Sequence, residues 1–209
     1  EIFNKLINTL SNCFEFYKLF AVEQTQKDVK LDVQKMNVLD QWILARLQLL
    51  VKEVTDNMKS YQLAEASRPI VEFVTELSQW YVRRSRDRFK GDDDADKQQA
   101  LVTLRTVFLT LSKVMAPFTP FIAEQMYQEL TVDNEELESV HLEMWPEVDT
   151  QLLNEKVLQD MDVVRKLVEM GLSLRSDAKV KVRQPLGALV ISGVSLSKDC
   201  KNILAEEMN

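Results

Sequence analysis

IVEFVTELSQWYVRRSRDRFK, residues 70–90, carries two patterns in one run. Ile70, Val74, Leu77 and Tyr81 recur at steps of four, three and four, the spacing of one α-helical face. From Trp80 to Lys90 the same helix packs five basic residues and three aromatics into eleven positions. At about 100° per residue, Arg84 and Arg88 continue the apolar line, whereas Arg83, Arg86 and Lys90 gather on another face. A guanidinium on a core line is costly unless it is paired. The spacing therefore leaves two options for Arg84 and Arg88: acids of a neighbouring helix, or a helix end that projects beyond its bundle. Pro69 predicts that this helix starts near Ser67 or bends there, because proline breaks an interior turn.

Outward from this stretch the helical period continues. Ile2 to Phe20 shows a wide apolar face, and the polar run 23–32 reads as a loop. Asn37 or Asp40 can cap the next helix, whose Leu39, Ile43, Leu47, Leu50, Val54 and Met58 form one face. After the turn at 91–96, Leu101, Leu104, Phe108, Leu111 and Met115 predict another helix. Pro117 ends it, and Thr119-Pro120 reads as the cap and first residue of a short helix through Met126 and Leu130. A further helix runs through Leu153, Val157, Met161, Val164, Val168 and Leu172. The texture then changes: Lys179, Lys181 and Arg183 alternate with valines, predicting an extended segment and then a short strand from Leu189 to Ser192. The expected architecture is mainly α, with a helical bundle at 1–132, an acidic connector at 133–150 and a partial α/β appendage at 151–209. Lys198 to Met208 fits a final helix.

Composition narrows the function. The 209 residues include only 4 Gly and 5 Pro, which favours long helices over many short strands. No apolar run approaches the roughly 20 residues of a membrane span. Cys13 and Cys200 are far apart and form no metal-ligand spacing, so a reducing, cytoplasmic setting is expected. The first residue is Glu1 and the strand near Val190 looks unfinished, so the chain reads as a piece of a longer protein. Net charge is −7, which ordinarily counts against nucleic-acid binding. Yet residues 133–149 hold seven acids and no Lys or Arg; removing those seven from 33 acids leaves 26, equal to the 26 bases.

Catalytic chemistry is thin. His141 is the single histidine, and four isolated glycines make no phosphate loop. No metal site and no catalytic residue is expected. MAPFTP reads as structural, ending one helix and starting the next.

Five stretches together resemble a known family: LDQWILARL (39–47), WYVRRSRDRF (80–89), KVMAPFTPFIAEQMYQEL (113–130), VHLEMWP (140–146) and KVRQPL (181–186). They look like the C-terminal, anticodon-binding region of isoleucyl-tRNA synthetase, a class I aminoacyl-tRNA synthetase. The resemblance covers nearly the whole chain. LDQWIL and MAPFTPFIAE are shared with valyl, leucyl and methionyl relatives; Trp80-Tyr81 before the Arg-rich run, with VRQPL, favours the isoleucyl member. The resemblance implies a parent enzyme that uses ATP and Mg to attach isoleucine to its tRNA. Its HIGH and KMSKS signatures are absent here, so it implies tRNA recognition without a catalytic centre or a cofactor of its own. The implied partners are tRNA(Ile) and the remainder of the same synthetase chain, in a monomer with no membrane contact.

Residue chemistry suits that role. Arg83, Arg86 and Lys90 are the first candidates for backbone phosphates. Arg84 and Arg88 are either paired inside the bundle or line an RNA groove. Trp80 is a candidate for stacking on an unpaired base, although large aromatics at helical spacing are ordinarily core. Lys179, Lys181 and Arg183 form a second candidate basic edge. The plainer reading of the Arg run is a solvated helix end, complementing the helix dipole and neutralised by Asp92, Asp93, Asp94 and Asp96. A different class of function also fits: a helical protein-interaction scaffold that docks through the acidic 133–149 segment. The equivalent domain of a valyl or leucyl enzyme is a third reading.

Overall fold

The computed structural model describes residues 2–21, 31, 36–131 and 138–208, with side chains from residue 6 onward. The helices are α1 Ile2–Ala21, α2 Val38–Lys59, α3 Leu63–Glu76, α4 Arg83–Lys90, α5 Asp94–Met115, α6 Pro120–Thr131, α7 Glu155–Asp177 and α8 Lys198–Met208. A π-helical stretch, Leu77–Val82, joins α3 to α4 without a break, and a 3-10 turn spans Val140–Leu142. No strand forms among the described residues. The chain divides into two compact units, Glu1–Leu153 and Asn154–Asn209. The polar run 23–32 lies almost wholly outside the described residues, as does the 132–137 part of the acidic connector.

The first unit is built on apolar stripes that the period dictates. Leu39, Ile43, Leu47, Leu50 and Val54 of α2 are buried, as are Leu101, Leu104, Phe108, Leu111 and Met115 of α5. Phe14 and Tyr17 of α1 meet Phe108 at ring distances of 5.2 and 5.6 Å. The ends are capped by short polar side chains. The Asn37 side chain accepts from Leu39 N–H, and the Asp93 carboxylate accepts from Ala95 and Asp96 N–H, satisfying donors the helix cannot. Pro120 is the first residue of α6, where its missing N–H is not needed.

At Pro69 the expected helix start near Ser67 is not taken. The helix begins at Leu63, six residues earlier, and runs through the proline. Pro69 removes one backbone bond, but Ala66, Ile70, Phe73 and Val74 are buried on either side of it. Burial of that face outweighs the lost bond, since tertiary packing supplies most helical stability.

Long-range ties fix the direction of each helix. The starts of α2 and α5 lie with the end of α4, because Arg88 bonds both Asp40 and Asp96. The Phe20 ring near the end of α1 packs against the Phe89 ring of α4 at 5.7 Å, so α1 ends there too. At the opposite end of the unit are the turn after α2, the starts of α1, α3 and α6, and the end of α5. The segment 138–149 straps this end. Glu143 accepts from Lys113 Nζ at 2.9 Å, and Trp145 Nε1 donates to Thr55 Oγ1 at 2.8 Å. The Asp149 N–H then reaches Gln48 Oε1 at 2.8 Å.

In the second unit α7 buries Met161, Val164 and Val168, and α8 buries Cys200, Ile203, Leu204 and Met208. Gly171 lets Met208 lie against α7, since a Cβ there would meet Met208 Cε at 2.5 Å. The strand expected at Leu189 to Ser192 is not formed. Strand N–H and C=O groups need a neighbouring strand, none is present among the described residues, and Leu189 and Val190 are exposed.

Candidate nucleic-acid interface

The helical rod from Leu63 to Lys90 carries the basic run into place. Its π-helical stretch widens the turn at 77–82. Such insertions shift the register of everything downstream and recur at functional sites. Beyond the stretch the buried residues are Ser85 and Phe89, with Arg88 beside them.

Arg88 is held on both sides. Its Nη1 and Nη2 donate to Asp40 Oδ1 and Oδ2 at 2.8 and 2.7 Å, and its Nε and Nη2 donate to Asp96 Oδ2 and Oδ1 at 2.8 and 2.7 Å. Asp40 is wholly buried and the Arg88 side chain is 12% exposed. Tyr81 Oη donates to Asp40 Oδ1 at 2.6 Å. Burial works against the Arg88 charge, but the bonds to Asp40 and Asp96 outweigh it and hold its pKa above the ordinary range. Burial first, and then the Asp40 charge, push the Tyr81 phenol well up, so it remains a donor. Two forked arginine–carboxylate pairs of this kind are rigid as well as strong. Arg88 thus takes the paired option, and its pairing fixes the rotation of α4 about its own axis.

With α4 so fixed, Arg83, Arg86 and Lys90 are exposed, and Arg84 is half-buried. Arg83 Nε donates to the Gln79 carbonyl at 2.7 Å. The Arg86 guanidinium lies over the Phe16 ring at 6.0 Å, within cation–π reach. Trp80 is half-buried, between the two roles considered for it, whereas Tyr81 is fully core.

The second basic cluster has a different backbone from the one expected. Residues 179–184 do not alternate along an extended segment. Lys179 takes φ +55°, and its N–H and that of Val180 return to the Ser176 and Arg175 carbonyls at 3.0 and 2.9 Å. This closes α7 with a Schellman turn, a place usually held by glycine. A β-turn follows, with Gln184 N–H on the Lys181 carbonyl at 2.9 Å. The buried Arg175 clasps both turns, donating to the Lys181 and Gln184 carbonyls at 3.0 and 2.9 Å and to the Met208 carbonyl. Lys179, Lys181 and Arg183 are exposed on these turns.

Arg175 and Asp40 were not singled out by the sequence reading as buried partners. A signal existed for Arg175, which sits seven residues after Val168 on the apolar line of α7. Asp40 read as a cap. No group of three or more His, Cys, Asp or Glu among the described residues is placed to hold a metal ion. Among those residues no helix is long and apolar enough to cross a membrane.

Comparison with known proteins adds the family context. Residues 40–190 match the family described as the anticodon-binding domain of tRNA ligase. The isoleucine–tRNA ligase of Clostridium novyi (strain NT) is 42% identical over 213 aligned residues, covering 100% of this chain and 20% of that protein. The isoleucine–tRNA ligase of Clostridium tetani (strain Massachusetts / E88) is 39% identical over the same span, 21% of its length. That of Dehalococcoides mccartyi (strain CBDB1) is 43% identical over 190 residues, 89% of this chain and 19% of its own. The chain thus spans about a fifth of the length of the curated relatives it matches.

Proposed function

Because this chain belongs to the anticodon-binding domain family of tRNA ligases, we propose that it holds the anticodon stem-loop of tRNA(Ile) for a longer enzyme that joins isoleucine to that tRNA using ATP. The observation that carries this reading is the family match over 40–190, which encloses both basic clusters. The identities to isoleucine–tRNA ligases support the isoleucyl member over the valyl and leucyl ones.

Arg83, Arg86 and Lys90 supply phosphate contact, and Trp80 offers part of its ring to an unpaired base. Arg84 lies at the edge of that face. Arg88 acts as a positioning residue, holding α4 with its cations outward. Lys179, Lys181 and Arg183 give a second set of phosphate contacts from their turns. ATP and Mg are assigned to the rest of the longer enzyme, as the resemblance implies. The scaffold reading draws on the pairing of Arg88. It loses support because Glu143, central to the acidic segment, is turned inward to Tyr127 and Lys113.

The test is binding of a 17-nucleotide anticodon stem-loop RNA over a salt series. Changing Arg83, Arg86 and Lys90 together to Ala should lower the slope of log K against log salt by roughly 2–3, from about 0.7–0.9 per phosphate contact. An unchanged affinity and slope would remove these residues from the interface. In the longer enzyme the same substitutions should raise KM for tRNA and leave isoleucine activation intact.

A further inference from the structure

Two carboxylates are buried among the described residues, Asp40 and Glu76. Each ties α2 to one end of the π-helical stretch. Glu76, the residue just before it, accepts from Arg46 Nε at 2.7 Å, with the Arg46 and Glu76 side chains 16% and 11% exposed. Tyr81, near the far end, donates to Asp40. Glu76 and Tyr81 are five residues apart in the sequence. In an α-helix that spacing turns about 140° and puts them on different faces. The stretch instead bonds each N–H five residues back, as Arg83 N–H does to the Ser78 carbonyl, so residues five apart stand one turn above one another. Upstream, Leu77 N–H still returns to the Phe73 and Val74 carbonyls. The extra residue of the wide turn therefore lies between the two ties. A buried ion pair is weak evidence for stability, because apolar residues of like volume often serve as well. What such a pair adds is direction.

Trp80 lies between the ties and is half-buried. Counted forward from α3 in α-helical steps, it falls about 40° from Glu76, towards α2. Counted back from α4, it falls about 140° from the buried Ser85, facing outward. Its half-buried ring sits between these two registers. If the extra residue moved back into α3, Trp80 would join the register of α4 and turn outward. The same move would swing Glu76 away from Arg46, so their bond opposes it. We infer that Arg46 and Glu76 are positioning residues for Trp80. With Tyr81 and Asp40 they confine the extra residue to 77–81 and hold the indole at the edge of the cationic face of α4, where it meets an unpaired base. The RNA part of this inference rests on the stacking role given to Trp80 above; the confinement of the turn does not.

Hydroxyl-radical footprinting of the protein without RNA tests the confinement. Arg46→Met combined with Glu76→Leu removes the bond but fills its space, so the fold and the melting temperature should hold. Oxidation of Trp80 should nonetheless rise about twofold, as a half-buried ring turned outward by one residue's rotation doubles its exposure. The fully buried Phe89 should stay protected. Glu76→Gln keeps an acceptor for Arg46 Nε and should leave Trp80 as it is. Arg46→Lys keeps the charge without the planar Nε donor and should give the same rise, which serves if the double variant does not fold. Unchanged Trp80 oxidation in the folded variants overturns the inference. The RNA part is read from stem-loop affinity extrapolated to 1 M salt, where phosphate contacts count least. Trp80→Ala and the double variant should each lose about tenfold, the scale of one stacked base. Combined, they should lose no more than either alone. Losses that add would show the pair acting on RNA other than through Trp80, and overturn its role there. If Trp80→Ala binds RNA as tightly as the parent, the stacking reading and the RNA role of the pair fall together, while the oxidation result still decides the confinement.

Discussion

Asp40 is buried in the first turn of α2 and accepts from Arg88 and Tyr81 at once. Removing the cation would leave this carboxylate facing a phenol and no charge. Arg88→Met should lower stability by about 3–5 kcal/mol, the usual result of breaking a buried pair from one side, as measured by urea unfolding. Arg88→Lys keeps the charge but not the fork, and should be destabilised in the same direction. If Arg88 acts only through position, the salt slope for RNA binding stays the same in Arg88→Lys. At Tyr61 and Lys179 the strain is of another kind, with φ of +58° and +55°. Tyr61→Gly and Lys179→Gly relieve a left-handed conformation that costs about 1–2 kcal/mol, less the extra backbone entropy of glycine. Each should gain roughly 0.5–1 kcal/mol in urea unfolding.

Among the elements, the strap at 138–149 depends on a carboxylate at mild acid pH. Glu143 accepts from Tyr127 Oη at 2.5 Å and from Lys113 Nζ at 2.9 Å. Those two bonds, Tyr127 first, hold its pKa below the ordinary 4.5. A group depressed in the folded state stabilises it above the unfolded value and loses that contribution as pH falls through the folded one. Stability should therefore decline below pH 4.5 in part through Glu143, and Glu143→Gln should flatten that decline in urea midpoints measured against pH. The rod from α3 through the π-helical stretch to α4 shows the other side of element-scale behaviour. Its sequence predicts one helix, yet its turn widens at 77–82, and helical projection loses its register beyond that point. The outward trio is exposed as the spacing places it. Ser85 and Phe89, which the projection did not assign to the core, are buried.

At the scale of the molecule the first unit carries the exposed cations of α4 at one end and exposed apolar side chains such as Tyr61 and Phe121 at the other. The second unit depends on a single buried guanidinium, since Arg175 joins the end of α7, the turn at 181–184 and the end of α8. Arg175→Met leaves three carbonyls without that donor. It should destabilise α7 and α8 by about 1–3 kcal/mol, the penalty for buried polar groups left unmade. Hydrogen exchange of the amides at 155–208 reads this directly. The connected turns carry Lys179, Lys181 and Arg183; if these residues contact RNA as proposed, the same substitution should also weaken RNA binding.

The helical class, the positions of most helices and the exposed face of α4 were determined by the sequence itself, because apolar period and capping residues act within a few positions. The five motifs also carried the family resemblance. What the tertiary structure alone decided was the use of each charge. Arg88 and Asp40 are 48 residues apart, and Arg175 and Met208 are 33 apart, distances over which no local pattern reports a pairing. The same holds for the expected strand near Val190, whose existence depends on a neighbour that local propensity cannot supply. Helix-forming signals are local and so were legible; pairing and strand completion depend on which distant segments meet, and only the folded chain brings them together.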